Sequence, residues 1–97
     1  MPNRFEGQDF NDQTVSLDGN KYFRCIFRRC VLQYGGMELP VLEGNEFNEC
    51  SWSFIDASAR TVQFMIALYH GAGRGGRELI EQTFENIRQR SPGPLVH

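Results

Sequence analysis

The sequence predicts a mainly β chain that ends in α-helix: a square coil of about two turns over residues 15–56, then a two-helix cap over 57–90. Three observations predict it. Reading every fifth position from Leu17 gives Leu17, Tyr22, Phe27, Leu32, Met37, Leu42, Phe47 and Trp52, all of them apolar. A helix repeats at about 3.6 residues and a flat strand at about 2, so this beat belongs to a chain that turns a corner after each short extended piece. Two positions before each of these residues lie Val15, Asn20, Cys25, Cys30, Gly35, Pro40, Asn45 and Cys50, mostly small or turn-compatible. After Asp56 the beat stops and helical spacing begins.

Residues 1–14 are polar apart from Phe5 and Phe10 and are expected to cover the open end of the coil as an N-terminal cap, as terminal repeats of solenoids do. Within the coil the clearest units are Cys25-x-Phe27, Cys30-x-Leu32, Asn45-x-Phe47 and Cys50-x-Trp52. In these units the chain resembles the pentapeptide-repeat proteins over residues 15–54. The resemblance implies a short right-handed β-helix with a small residue and a large apolar one, two apart, turned inward. Aromatic residues stand here where that family usually has Leu, and the unit from Gly35 to Pro40 is a poor match.

A second match sets an expected register. Gly19-Asn20-x-Tyr22-x-x-Cys25-x-Phe27 recurs as Gly44-Asn45-x-Phe47-x-x-Cys50-x-Trp52, a shift of 25 residues. A plain square coil takes about 20, so the extra residues are expected to leave as a loop at Tyr34–Pro40, which carries paired glycines and a proline. The shift of 25 sets Lys21 on Glu46 and Arg24 on Glu49, two pairs of opposite charge on adjacent rungs. It also stacks Asn20 on Asn45 and Cys25 on Cys50.

The C-terminal third reads as two helices, Ala57 to His70 and about Arg77 to Arg90, followed by a loose tail over 91–97. Asp56 or Ser58 is expected to cap the first. Its apolar residues fall on more than one stripe, so the face Val62, Met65, Ile66 and Tyr69 is expected to be shared with another copy of the chain. The second has one clean apolar face, Leu79, Ile80, Thr83, Phe84 and Ile87.

Composition bounds the function. The 97 residues make one domain with a modest core, and 40% hydrophobic content with eight Phe is enough for order. A net charge of -2 argues against a dedicated nucleic-acid binder. Charge is segregated: residues 20–34 hold Lys21, Arg24, Arg28 and Arg29 without an acid, and 35–56 hold Glu38, Glu43, Glu46, Glu49 and Asp56 without a base. Cys25, Cys30 and Cys50 stand in no CxxC pair and beside no His at ligand spacing, so they are expected as buried thiols in a reducing cytoplasm, with no metal and no cofactor. No signal peptide opens the chain and no apolar run approaches about 18 residues, so no membrane partner is expected.

The segment with most chemistry in it is Gly71-Ala-Gly-Arg-Gly-Gly-Arg77. Read as a loop, it would aim backbone amides of Gly73, Gly75 and Gly76 at one point beside a helix N-terminus, with Arg74, Arg77 and His70 as further donors. Such a cradle suits a phosphate-containing small molecule of nucleotide type, held without catalysis. It is also an ordinary linker between helices. The competing function is a protein-protein interaction module, an inhibitor or decoy, that shows the acidic rung Glu43, Glu46, Glu49 to a basic partner.

Overall fold

The computed structural model describes residues 3–90, so the expected tail at 91–97 lies outside the described residues. Strands β1 (Arg4–Glu6), β2 (Asp9–Asn11) and β3 (Thr14–Ser16) form a first winding. A second is built from β4 (Lys21–Phe23), β5 (Ile26–Arg28) and β6 (Val31–Tyr34), and a third from β7 (Val41–Glu43), β8 (Glu46–Asn48) and β9 (Ser51–Phe54). They pair in parallel as three sheets, β1-β4-β7, β2-β5-β8 and β3-β6-β9, so the chain visits each sheet once per winding. Helices α1 (Asp56–Gly71) and α2 (Gly73–Gln89) follow. The mixed β and α class is as the sequence predicts, and the stacked parallel strands are compatible with a β-helix.

The windings number three where about two were expected, because the residues read as an N-terminal cap are the first winding. Phe5, Phe10 and Val15 hold the same five-residue beat, but the phase breaks between Val15 and Leu17. The pairing explains the break. Arg4 faces Lys21, an offset of 17, whereas Lys21 faces Val41, an offset of 20. The fourth side is the short Leu17–Asn20 in the first winding and the irregular Gly35–Pro40 in the second, neither of which is strand. Met37 sits on that irregular side and is 83% exposed, although it falls on the beat.

The expected register of 25 is therefore overturned. Ile26 faces Glu46 and Val31 faces Ser51, so Cys25 lies under Asn45 and Cys30 under Cys50. The internal match misled because Gly19 and Gly44 are both turn glycines with positive φ, 70° and 69°, but they serve different corners of the coil. Asn45 bridges windings instead of stacking on Asn20: its Oδ1 accepts the Cys25 amide at 2.7 Å and its Nδ2 donates to the Tyr22 carbonyl at 3.1 Å. Asn20 in turn donates to the Ser16 carbonyl and accepts the Asn3 amide.

Inside, Val15, Leu17, Tyr22, Cys25, Phe27, Cys30, Leu32 and Leu42 are buried as one cluster, with Phe5, Phe10, Phe47 and Cys50 partly buried against it. The three thiols are free. Aromatic rings in the same register lie flat on one another: Phe5 on Tyr22 at 5.0 Å, Phe10 on Phe27 at 4.9 Å and Phe27 on Phe47 at 5.2 Å, all within 10° of parallel. Trp52 closes no core. It is 55% exposed, because the third winding has no further rung to cover it.

The three arginines of the second winding pair directly with acids of the winding before it, whereas Lys21 faces Arg4 and is in no ion pair among the described residues. Arg24 pairs with Glu6, Arg28 with Asp9 at 3.4 Å, and Arg29 with Asp12 at 2.7 Å. Arg24, Arg29, Asp12 and Glu49 all occupy corners with φ between 52° and 54°, where their side chains turn outward.

Helix α1 starts without the expected cap from Asp56 or Ser58; Ile55 takes the N-cap position. The Ser58 hydroxyl is instead buried, shared between the carbonyls of Tyr34 at 2.5 Å and Ile55 at 2.7 Å. Gly36, at φ +86°, leaves room for this helix end, since a Cβ there would meet the Ser58 nitrogen at 2.7 Å. Past its first turn α1 packs mainly on α2, so the two helices form a hairpin with few contacts to the strands.

Two outcomes follow for stability. Phe27→Ala, which empties the middle of the ring stack, is expected to lower the unfolding free energy in urea by about 3–5 kcal/mol, and Phe5→Ala at the half-buried end by less. Acid is expected to weaken the coil. The Arg29 guanidinium holds the Asp12 carboxyl below the usual carboxylate range, so its contribution is present above the unfolded-state value and is lost as the pH falls from about 5 toward 2. The urea midpoint should fall over that window, and Arg29→Gln should remove part of the fall.

Candidate functional site

The segment Gly71–Arg77 is not a loop. Gly71 ends α1, Ala72 is the single linking residue, and Gly73–Arg77 are the opening turns of α2. Gly73 absorbs the reversal with φ +71°. Helix α2 thus begins four residues earlier than the sequence predicts.

This splits the expected cradle. Gly76 is buried in the helix crossing, where a Cβ would run into the Leu68 carbonyl oxygen and meet the Ala72 Cβ at 2.6 Å. It allows close approach of the helices. Gly75 looks into open space. His70, Gly73, Arg74 and Arg77 do come together, on a groove of about 890 Å³ along the hairpin, but the same groove carries Glu78, Glu81, Glu85 and Arg88. Arg74 reaches Glu78 at 3.5 Å, and the Arg77 guanidinium lies over the Tyr69 ring at 5.3 Å. The Tyr69 hydroxyl donates to Glu81 at 2.9 Å, and that bond holds the phenol above its ordinary pKa. Three arginines face three glutamates, so the groove is close to neutral. The first turn of α2 has neither an acidic residue nor a side-chain cap.

Adjoining that groove, with Tyr69, His70 and Glu81 common to both, lies an apolar groove of about 590 Å³. The expected oligomer face, Val62, Met65, Ile66 and Tyr69, lines it, joined by Phe54, Ile80 and Phe84. Ile66 is 56% exposed, and Phe54, Phe64, Leu79, Phe84 and Ile87 are exposed too. The clean face read on the second helix buries only Ile80 and part of Thr83. Phe54 was missed because it follows the last beat residue by two positions and looked like the end of the coil.

The acidic rung Glu43, Glu46, Glu49 lies exposed on the third winding, around the two corners that flank β8. Among the described residues none of the three is in an ion pair. Asn48 donates to Glu46 at 3.2 Å.

No protein-family model matches the chain, and no curated protein or solved structure matches it either. No helix among the described residues is long and apolar enough to cross a membrane.

The two glycines of α2 are expected to answer oppositely to the same change. Gly75→Ala should raise the thermal midpoint, since Ala in an exposed helix is favoured over Gly by up to about 1 kcal/mol. Gly76→Ala should lower it, because overpacking the crossing costs about 1–3 kcal/mol.

Proposed function

We propose that the chain is a non-catalytic, cytoplasmic interaction protein that assembles with copies of itself through the α1–α2 hairpin and offers its acidic rung to a basic partner. In this reading the three windings are a short, right-handed, pentapeptide-repeat-like β-helix that serves as a rigid mount. The five-residue beat and the offset of 20 between the second and third windings support it.

One observation carries the self-assembly. The hairpin keeps only Ile80, Gly76 and Ser58 buried while it leaves large apolar side chains on both its flanks in solvent. A lone pair of helices hides one seam; a second pair laid across the apolar groove would cover Val62, Ile66 and Phe84. A stable homodimer covers roughly 800 Å² of each partner, an area that a hairpin of two helices of 16 and 17 residues can supply.

The phosphate-ligand reading is the second. It is favoured by the uncapped, acid-free first turn of α2, with His70, Arg74 and Arg77 on the same groove. The three glutamates of that groove work against it, and for this reason it ranks behind.

Light scattering coupled to size exclusion is expected to give an oligomer for the full chain and a monomer for Ile66→Glu with Phe84→Glu, both folded by circular dichroism. A monomeric parent chain would overturn the assembly reading. For the second reading, ATP titrated into the full chain should bind, and Arg74→Ala with Arg77→Ala should weaken it about tenfold or more, as loss of two charge-assisted contacts does. Unchanged affinity would remove it.

A further inference from the structure

The third winding ends in a free edge. Among the described residues β7, β8 and β9 each have one hydrogen-bonded neighbour, in the second winding, and none beyond. The second winding holds the third through the Cys25 carbonyl, which accepts the Glu46 amide, and through the Arg29 amide, which donates to the Asn48 carbonyl, both at 2.9 Å. One winding on, the Asn45 carbonyl and the Glu49 amide hold the same register positions on the outer edge. The ring stack stops there as well: Phe47 is covered on one face by Phe27, and its neighbour Trp52 is largely exposed.

Charge selects what can lie on this edge. The first winding carries Glu6, Asp9 and Asp12 with one base, Arg4, beside Glu6; the second carries Lys21, Arg24, Arg28 and Arg29, and the third Glu43, Glu46 and Glu49 with no base. Register equates Glu6 with Glu43 through Phe23, and Asp9 with Glu46 through Ile26. The arginines of the second winding are all engaged by the first. The third winding therefore presents to the outside what the first presents to the second: a row of carboxylates beside a phenylalanine ring. A second copy does not complete it, since both ends of the coil carry acids at equivalent positions, and like charges directly opposite each other are destabilising.

We propose that the free edge of β8, flanked by Glu43, Glu46 and Glu49, is a docking site for an extended arginine- or lysine-bearing segment of a different protein. The segment adds a strand to the edge and lays a planar side chain on Phe47. This rests on the interaction-module reading, whose partner chemistry and mode of attachment it names, and it does not involve the hairpin.

The probe is a labelled peptide of residues 21–34 of this chain with Cys25→Ser and Cys30→Ser, the segment that already lies on the acidic first winding. Fluorescence anisotropy with the full-length protein is expected to show saturable binding that weakens with added salt. Backbone amide shifts should centre on Glu46–Glu49, and a peptide with Arg24→Glu, Arg28→Glu and Arg29→Glu should not bind. Protein carrying Glu43→Gln, Glu46→Gln and Glu49→Gln, all exposed positions, should keep its urea midpoint and bind the probe about tenfold more weakly. No binding, or binding indifferent to those carboxylates, overturns the proposal together with the acidic-rung reading. Carboxylate-dependent binding with shifts away from the β8 edge overturns strand addition alone.

Discussion

Every inward side chain of the coil must sit on the one in the winding below, and this stacking constraint governs the rest of the molecule. Parallel strands in register repeat a side chain at a fixed lateral position, so a ring at one level is served best by a ring at the next. Phe10, Phe27 and Phe47 meet that demand with their planes nearly parallel. Tyr22 adds edge contacts to Phe10 and Phe27, which ties adjacent sheets together within the core. Only one phenol is accommodated there, and its hydroxyl reaches the Ser16 carbonyl at 3.1 Å, so no polar atom is left stranded.

The same constraint orders charge on the outside. Corners in the left-handed conformation turn their side chains to solvent, and successive windings bring corner over corner. Asp12, Arg29 and Glu49 thus form a column of alternating sign, in which Arg29 bonds directly to Asp12 and is raised further by the nearby Glu49. Exposed pairs of this kind each contribute little. Their effect is on register: a slip of one rung would set acid on acid, whereas the native offset sets base on acid.

The sequence made the periodicity legible and hid its phase. The beat alone points Phe27, Leu32 and Leu42 inward, and all three are buried. The first winding escaped because it is three residues shorter than the second, an offset of 17 against 20, which moves Phe5, Phe10 and Val15 out of step with everything after Leu17. The offset of 25 looked right because corner glycines and bridging asparagines recur for local backbone reasons, and two such corners can resemble each other without being neighbours. The glycine-rich segment misled in the opposite sense. Four glycines in seven residues argue for a loop by propensity, yet one of them is there so that two helices can touch, and tertiary packing overrides the intrinsic preference.

A coil of this size cannot shelter a helical hairpin, and the hairpin does not shelter the coil. The hairpin meets the windings at the start of α1, where Ser58 and Gly36 interlock, and at Phe54 of β9, which lines the apolar groove with Ile66 and Phe84. Beyond these contacts lie two unlike exposed surfaces, an apolar one on the helices that Phe54 joins and an acidic one with aromatic rings at the coil's end. Surfaces of such different character do not suit the same partner. An apolar flank is completed by another apolar flank, which a second hairpin provides, while a carboxylate-lined strand edge repels its own copy and is completed by a basic strand. On the proposed reading the chain carries two unlike contacts, one on the helices and one at the end of the coil, and the stacked rings Phe10, Phe27 and Phe47 hold the second of them in register.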